Sequence, residues 1–349
     1  MRLMPVHRAP QQEIEAAVEV LRSGRLVAFP TETVYGLGAN AGDPSAVRRV
    51  FAAKGRPGTH PLIVHLDDPK YLGRWARSVP AAAARLGEAF WPGPLTLVFE
   101  RALAVHDVVT GGQDTVAVRV PAHPIAQQLL KAFGGGIAAP SANRYGHVSP
   151  TRPEHVREEL GDAVQMILDG GECKIGVESA IVSVVSDPPV LLRPGSITLS
   201  QLQSVVPEIV PTSDERVPRV PGSDARHYAP GTPMHIVPDK RLEQVAAEFA
   251  DNRERVAVLA MRPPARTNRL MTWINAGSKP ELYAHNLYAN LRTLDRTAAS
   301  AILVQEVPND EKWHAVRDRL YRAATAEKLI TNDPDLAAMR AMFDEDELP

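Results

Sequence analysis

The chain has 349 residues, of which 44% are hydrophobic and 23% are charged, and its formal net charge is -2. This length exceeds one ordinary core, so two domains are expected, and the near-neutral charge argues against a protein that coats nucleic acid or an anionic membrane. A single cysteine excludes an intramolecular disulfide framework, and the lack of an apolar leader or a run of about 18 apolar residues predicts a cytoplasmic protein.

Short apolar runs alternate with amphipathic segments up to about residue 200, which predicts an α/β sheet packed by helices. Helical apolar spacing appears at residues 14–21, and Asp43 followed by Pro44 predicts the start of a second helix. Thr151 and Glu154 form a plausible capping box for a later helix. The predicted strands cover residues 25–29, 61–66, 95–100, 116–120, 137–140, 180–185 and 190–193, and a further helix covers 124–133.

The composition changes at residues 206–233, where six prolines and two glycines without periodicity predict a semi-extended linker. Beyond it, strands alternate again with helices, which predicts a smaller, doubly wound, Rossmann-like domain. We therefore expect a first domain at 1–205, the linker, and an accessory domain at 234–349 with a frayed end. The predicted strands of this last domain are 234–237, 256–260 and 301–307, and its predicted helices are 242–249, 282–294 and 313–324.

A glycine-bearing segment, GLGANA, follows the first predicted strand and is interpreted as a loop that leads into the next helix. It fits the dinucleotide pattern G-x-G-x-x-A, but the ribose-binding acid expected about 20 residues later is replaced by Lys54 and Arg56. Two cations fixed at the mouth of a sheet suit a triphosphate. The alternatives are a lysine that complements the helix dipole and a solvated surface arginine.

Polar residues also occur where other predicted strands end. Ser141 and Asn143 follow the strand at 137–140, at the edge where open α/β sheets bind ligands, although such residues often only cap turns. Arg119 lies among valines and suits a carboxylate ligand, or else faces water from an edge strand. His65 is either a substrate contact or a hydrogen-bonded core histidine.

Taken together, PTETVYGLGANA, the K-x-R of Lys54 and Arg56, and the S-x-N of Ser141 and Asn143 resemble the YrdC-like domain of threonylcarbamoyl-AMP synthases, from about residue 13 to 200. The linker sequence PGSDARHYAP resembles the family's PG…RHYAP segment. The rest resembles the extra domain of the long, two-domain form. At residues 223–225 this chain has Ser-Asp-Ala, where family members often have Met, Lys and Tyr.

The resemblance implies a YrdC-like twisted open sheet with flanking helices, joined to a smaller Rossmann-like doubly wound domain. It implies a nucleotidyltransferase that condenses L-threonine, bicarbonate or CO2, and ATP into threonylcarbamoyl-AMP, releasing pyrophosphate. The product would pass to the transferase that makes N6-threonylcarbamoyladenosine in tRNA. Mg²⁺ bound mainly through ATP phosphates is expected, with no protein metal ligand. Direct tRNA binding is compatible with this reaction but not required, and no membrane is involved.

The same resemblance assigns roles to individual residues. The reaction needs no covalent protein intermediate, so Cys173 is interpreted as a small buried side chain rather than a nucleophile. The linker is expected to close over the nucleotide with His227 and Tyr228, with a plain spacer as the alternative. The implied catalytic residues are Lys54, Arg56, Ser141 and Asn143; those for ATP are Arg56, His60, Thr115, Ser141, Ser149, Arg193 and Tyr228; those for threonine are Thr33, His65, Arg119, Ala139 and Ser179. The alternative interpretation is that Thr115 and Ser149 are ordinary turn residues and that Arg193 is a cation at the end of a strand.

Two other functions compete with this assignment. A carbamoyl-transferring maturation enzyme contains a related domain, but such proteins also carry cysteine-rich zinc modules that one cysteine cannot build. An RNA-binding module is suggested by Arg48 and Arg49 beside Lys54 and Arg56. The acidic balance and an aromatic content of 5% argue against it, because they provide no stacking platform.

Overall fold

The computed structural model describes residues 9–212, 217–222 and 226–324. The departure at 223–225 and the expected frayed C-terminal end lie outside the described residues. No helix in these ranges has both the length and the apolar content needed to span a membrane.

Within the described ranges, the first part of the chain forms a ten-stranded open sheet that mixes parallel and antiparallel pairs. Its strand order is β10-β9-β8-β4-β5-β3-β6-β2-β1-β7, with the strands β1 (Val27–Phe29), β2 (Gly36–Asn40), β3 (Ile63–His65), β4 (Leu95–Glu100), β5 (Thr115–Arg119), β6 (Ile137–Ala138), β7 (Met166–Ile167), β8 (Ala180–Ser183), β9 (Val190–Arg193) and β10 (Val210–Pro211). The helices here are α1 (Gln11–Arg22), α2 (Pro44–Lys54), α3 (Ala81–Phe90), α4 (Asp107–Thr110), α5 (Pro124–Phe133), α6 (Pro153–Leu160) and α7 (Leu199–Gln203).

Helices cover both faces of this sheet, because alternate strand residues point to opposite sides. On one face, α1 and α5 bury Leu21 and Leu130 with Phe29 and Ile137. On the other face, α2 and α3 pack on a larger core that contains residues of β4 and β5. The register of the central strands then brings polar residues together: His65 lies opposite Arg119 across β3 and β5, and Thr96 lies opposite Arg119 across β4 and β5.

The predicted start of α2 is confirmed. The Asp43 carboxylate accepts a hydrogen bond from the Ser45 backbone N–H at 2.8 Å, and Gly55 ends the helix in the left-handed region with φ 64°. The capping box at Thr151 is wrong. Helix α6 begins after Arg152 without a side-chain cap, and Thr151 is instead buried, with its N–H donating to His155 Nδ1 at 3.3 Å.

The glycine-bearing segment is a strand, not a loop, and this part of the prediction is wrong. Residues Gly36–Asn40 form β2, which pairs antiparallel with both β1 and β6. A Cβ at Gly38 would lie 2.8 Å from the ring of Phe29 and 2.9 Å from Ile137 Cγ2. The second glycine of the pattern is therefore required by packing, and the segment lacks the strand-loop-helix geometry of a dinucleotide site.

Replacing Gly38 with alanine is expected to lower the free energy of unfolding by about 1–3 kcal/mol, because the new methyl group overpacks a buried contact. Gly58→Ala is the matched control, since no atom lies within 4 Å of the Cβ that it would add. Urea denaturation of both variants measures the difference. Equal midpoints for the two variants would contradict the packing explanation.

The second part of the chain is a separate, all-parallel four-stranded sheet with helices on both faces. Helix α8 packs on one face, and α9 and α10 pack on the other, as the doubly wound prediction requires. The edge strand β13 was missed because its residues are only partly buried. In the order β11-β14-β12-β13, the strands are β11 (Met234–Val237), β14 (Ala301–Gln305), β12 (Val256–Ala260) and β13 (Met271–Asn275); the helices are α8 (Asp239–Asp251), α9 (Pro280–Asp295) and α10 (His314–Ala323).

The proline-rich segment is not a plain spacer between these two sheets. Its residues Val210–Pro211 form β10 and pair in parallel with β9, so they extend the large sheet. Further on, the Ala229 N–H donates to the Gly146 carbonyl at 2.8 Å and the His227 N–H donates to the Arg322 carbonyl at 2.9 Å. The segment therefore contacts both parts of the chain.

Candidate active site

A pocket lies at the ends of the central strands of the large sheet, and described residues of the linker line one side of it. Its walls come from the chain around β2, from the ends of β3 and β5, from the residues after β6, and from residues 178–179. Pro221, Gly222, His227 and Tyr228 contribute the linker side. Of the residues predicted for substrates, Thr33, Arg56, His65, Arg119, Ala139, Ser141, Ser179, Arg193 and Tyr228 line it, whereas Lys54, His60, Thr115, Asn143 and Ser149 do not.

At one end of the pocket, Arg119 is buried and held in a fixed orientation. Its guanidinium donates to Glu32 Oε1 at 2.7 Å, to Thr33 Oγ1 at 3.0 Å and to the Gly93 carbonyl at 3.2 Å. The other Glu32 oxygen accepts the Ala122 N–H at 3.0 Å. Arg119 is therefore not an arginine that faces water, and Glu32 compensates its charge in the core.

Glu32 was missed by the sequence analysis, although it lies within the quoted PTETVYGLGANA. The available signal was an acidic residue between two threonines directly after a buried strand. Such a residue is almost never fully buried unless it is paired. Its partner could not be found from the sequence because Arg119 lies far away along the chain.

Ser179 and a second arginine, Arg193, also line the pocket, and Thr96 contacts Ser179. The Ser179 and Thr96 hydroxyls lie 2.8 Å apart, and Arg193 donates to the Ser179 carbonyl and, at 3.2 Å, to the Ser179 hydroxyl. The same guanidinium donates to the Pro221 carbonyl at 2.6 Å. Arg193 thus links the large sheet to the linker.

Lys54 is buried beside the pocket rather than in its wall. Its ammonium donates to the Ser141 carbonyl at 2.5 Å and, at still closer range, to the Asn143 carbonyl. Burial, and secondly the charge of Arg56, lower the pKa of Lys54 well below its ordinary value. Asn143 donates to the carbonyls of Arg144 at 2.7 Å and His147 at 2.8 Å. In this structure, both residues hold the shape of the loop that presents Ser141.

The remaining residues predicted for ATP differ in their surroundings. Arg56 donates to the Pro61 carbonyl at 3.2 Å and lies 6.0 Å from the centre of the Tyr145 ring, and His60 contacts the same ring edge to face at 5.5 Å. Thr115 is partly exposed at the start of β5. Ser149 is buried and donates to Glu178 Oε1 at 2.6 Å, so its hydroxyl is bound to a carboxylate that lines the pocket.

The linker residues His227 and Tyr228 are packed into the pocket wall. Their ring centres lie 4.1 Å apart, and His227 also contacts Tyr145 at 6.1 Å. Tyr228 is buried with φ 63°, a left-handed backbone that is costly for a bulky residue. Strain of this kind is typical of functional sites, where surrounding contacts hold it in place.

Two buried histidines of the pocket are expected to make stability depend on pH. Burial, assisted by the charge of Arg119, lowers the pKa of His65 to about 3; burial is also the main cause that lowers the pKa of His227 to about 3. Between about pH 6 and pH 3 the unfolded chain binds these protons and the folded chain does not. Stability should therefore fall as the pH falls, by up to about 1.4 kcal/mol per histidine and pH unit.

Denaturation at pH 7, 6 and 5 tests this dependence. In His227→Asn the slope of unfolding free energy against pH should decrease by about one proton, whereas an exposed-site variant such as His106→Asn should keep the wild-type slope. An unchanged slope in His227→Asn would show that the folded protein protonates this imidazole over the same pH range as the unfolded chain, which contradicts the lowered pKa.

Cys173 is buried away from the pocket wall, and burial raises the pKa of its thiol. A protonated, buried thiol is a poor nucleophile. The structure thus supports the interpretation of Cys173 as a small core side chain.

Comparison with known families assigns the chain to two family models, and the boundary between them precedes β10, which still belongs to the large sheet. Residues 19–195 match the Sua5/YciO/YrdC family model, described as "Telomere recombination". Residues 197–325 match the model "Threonylcarbamoyl-AMP synthase, C-terminal domain".

Curated relatives match over nearly the whole length. A threonylcarbamoyl-AMP synthase of Pyrococcus abyssi is 41% identical over 91% of this chain and 95% of its own. One from Bacillus subtilis is 39% identical over 89% of this chain and 93% of its own. Among solved structures, P. abyssi Sua5 complexed with L-threonine superposes with a TM-score of 0.85 at 41% identity, covering 91% of this chain and 96% of that one.

Proposed function

The chain belongs to the two-domain form of the threonylcarbamoyl-AMP synthase family, and from this premise we propose how its pocket carries out the family's reaction. Its activity is that of a nucleotidyltransferase: L-threonine, bicarbonate or CO2, and ATP are condensed into threonylcarbamoyl-AMP, and pyrophosphate is released. The product serves N6-threonylcarbamoyladenosine formation in tRNA. We keep 1–205, 206–233 and 234–349 as the proposed domain limits, and the cytoplasm as the proposed place of action.

Threonine is proposed to bind at the Arg119 end of the pocket. A guanidinium already fixed by Glu32 and Thr33 can direct its remaining N–H groups to the substrate carboxylate without losing orientation. The hydroxyl of Ser179 and the imidazole of His65 line the same end and suit the substrate hydroxyl and amine. Ala139 leaves room for the methyl group.

ATP is proposed to bind with its phosphates toward Arg56, Ser141 and Arg193, which line the same pocket; Arg193, bonded to Ser179, would lie between the two substrates. Guanidinium groups are suited to phosphate oxygens because their planar N–H pairs match them. Lys54 and Asn143 stabilise the loop of Ser141 by hydrogen bonds to its backbone carbonyls. His60, Thr115 and Ser149 stay as predicted ATP contacts that would require the nucleotide to reach beyond the pocket wall.

The chemistry then needs positioning more than covalent catalysis. The neutral threonine amine forms a C–N bond with CO2 while one C=O π bond opens, and it releases one proton to give the carbamate; from bicarbonate a C–O bond breaks instead, and the amine proton leaves with the hydroxide as water. A carbamate oxygen bonds to the α-phosphorus, while the bond from that phosphorus to the β-phosphate oxygen breaks and pyrophosphate leaves. Fixed cations at the phosphates stabilise the charge that develops on them.

Mg²⁺ is proposed to be bound through the phosphates of ATP and through water. The carboxylates near the substrates are already in use: Glu32 accepts from Arg119 and Ala122, and Glu178 accepts from Ser149 and Tyr288. In the part of the chain that the structure describes, no cluster of acidic, histidine or cysteine residues is arranged for a metal. When bound, the ion would neutralise phosphate charge.

The linker is proposed to be the lid that keeps water from the carbamate and from the mixed anhydride. Its closure depends on Gly222, which has φ 82° and whose added Cβ would lie 2.1 Å from Tyr228 Oη. Gly222→Ala is expected to raise KM for ATP and to increase the pyrophosphate released per threonylcarbamoyl-AMP formed. The reason is that the added methyl group displaces the Tyr228 side chain from its position in the pocket wall.

Gly231→Ala is the matched control for this variant. It lies at the other end of the linker, and its added Cβ would come no closer than 3.6 Å to Asp295. The product-to-pyrophosphate ratio, measured with labelled ATP and labelled threonine, should change only in Gly222→Ala. A ratio of one in both variants would refute the lid.

The observation that carries the function is that residues assigned to two different substrates converge on one pocket, with Arg119 and Arg56 both in its wall. Purified protein should release pyrophosphate from ATP only when threonine and bicarbonate are both present. Release without threonine would contradict the proposal, and salt-dependent RNA binding without any turnover would favour the RNA-binding alternative. Transfer of the product to the tRNA-modifying transferase is proposed from the reaction alone.

A further inference from the structure

A buried carboxylate in the pocket wall is held by the C-terminal domain. Glu178 Oε1 accepts from Ser149 at 2.6 Å, and Glu178 Oε2 accepts from Tyr288 Oη at 2.8 Å and from Arg319 Nε at 3.0 Å. Tyr288 lies on α9 and Arg319 on α10, and both are fully buried. The C-terminal domain thus supplies two of these three donors.

The same two residues enclose the linker tyrosine. The Arg319 guanidinium lies 5.5 Å from the centre of the Tyr228 ring, and the Tyr288 ring stacks on Tyr228 at 5.9 Å with an interplanar angle of 24°. Arg319 also donates to the Pro194 carbonyl at 2.8 Å, directly after β9. One arginine therefore contacts the linker, the wall carboxylate and the strand end that carries Arg193.

These contacts lead directly to groups that line the pocket. Arg193 donates hydrogen bonds to Ser179, the residue after Glu178. The same arginine donates to the Pro221 carbonyl of the linker. A buried carboxylate that loses its partners must move toward water or take up a proton. If Glu178 shifts, Ser179 and Arg193 must shift with it, because the residues are adjacent or directly bonded.

We propose that Arg319 and Tyr288 are positioning residues of the catalytic pocket: through Glu178 they fix the wall at Ser179, and by contact they hold Tyr228 in the closed linker. The C-terminal domain thus completes the nucleotide site without itself touching the substrates. This inference rests on the proposed function, because it assumes that ATP occupies the pocket under Tyr228.

The test uses the full chain and measures two quantities: the Kd of a non-hydrolysable ATP analogue, and threonine-dependent pyrophosphate release. Arg319→Met is expected to weaken analogue binding by about tenfold, Tyr288→Phe to weaken it less because its ring stack survives, and Arg319→Lys to recover part of the loss. Arg317→Met is the control, since Arg317 lies on the same helix but donates to Asn309 and Tyr321 instead of to Glu178.

A double-mutant cycle separates positioning from general destabilisation. In a Tyr228→Ala background, Arg319→Met should have a much smaller effect on analogue binding than it has in the wild type, because part of its action passes through the missing ring. The inference is overturned if Arg319→Met weakens analogue binding by the same factor in both backgrounds. It is also overturned if both Arg319→Met and Tyr288→Phe bind the analogue within twofold of wild type. If Arg319→Met does not fold, the cycle is run with Arg319→Lys, which also changes the contact with the Tyr228 ring, and the same criterion decides.

The two claims fail in different ways. A wild-type protein that releases pyrophosphate with threonine, together with variants that bind normally, refutes the positioning role alone. A wild-type protein that binds the analogue but shows no threonine-dependent release refutes the proposed function, while the binding cycle still decides whether Arg319 and Tyr288 position the pocket.

Discussion

Replacing Arg56 with alanine is expected to lower kcat/KM for ATP by about 100- to 1,000-fold, the cost of removing one fixed donor from a site where charge develops. Arg56 lines the pocket, and only 7% of its surface is exposed, so water replaces it poorly. Its guanidinium is held by the Pro61 carbonyl and the Tyr145 ring, which fixes its direction before the substrate arrives. The loss should appear mainly in turnover, with a smaller change in threonine binding.

Arg48→Ala provides the matched control, because Arg48 is an exposed arginine on the neighbouring helix α2. Both variants should keep the wild-type circular dichroism spectrum and melting temperature within a few degrees. If Arg56→Ala turned over ATP as fast as Arg48→Ala, the phosphates would have to lie elsewhere.

The second large effect is expected at Arg119. Arg119→Met should lower the free energy of unfolding by about 3–5 kcal/mol, because it leaves the Glu32 carboxylate buried without its cation. The same variant should lose threonine binding, since the methionine offers no donor to the substrate carboxylate. Chemical denaturation and calorimetric titration with threonine measure the two effects.

The double variant Arg119→Met/Glu32→Gln separates those effects. Removing the second charge should restore a large part of the lost stability, whereas threonine binding should stay absent. Recovery of threonine binding in the double variant would mean that Arg119 only neutralises Glu32 and does not contact the substrate.

The fold followed well from local patterns in the sequence. Apolar spacing placed α1, and Asp43 with Pro44 placed the start of α2, because caps and amphipathic faces depend on neighbours in the chain. The strand β2 was missed for the opposite reason. Its glycines make room for Phe29 and Ile137, and that requirement becomes visible only when β1 and β6 are paired with it.

The pocket was predicted in part, and the omissions share one cause. Thr33, His65, Arg119 and Ser179 were named from the resemblance and do line one pocket. Glu32 and Glu178 were missed because each is explained by a partner distant in sequence, Arg119 and Arg319 respectively. Sequence patterns indicate which residues follow strands, whereas buried ion pairs between distant segments require the fold.

The roles of Lys54 and Asn143 show the same limit. The pattern K-x-R suggested two equivalent cations at the phosphates, yet Lys54 is bound by the carbonyls of Ser141 and Asn143 and only Arg56 lies in the pocket wall. A motif records that two residues occur together, but Lys54 lies in the last turn of α2 and Arg56 follows its end at Gly55, and the two side chains bind different carbonyls.

A crystal structure of the full chain with threonine and a non-hydrolysable ATP analogue tests the central claim most directly. We expect the threonine carboxylate at Arg119, the phosphates at Arg56 and Arg193, and the linker closed over both with Tyr228 in contact with Arg319. Ligands bound outside this pocket, or a threonine whose carboxylate faces away from Arg119, would contradict the account.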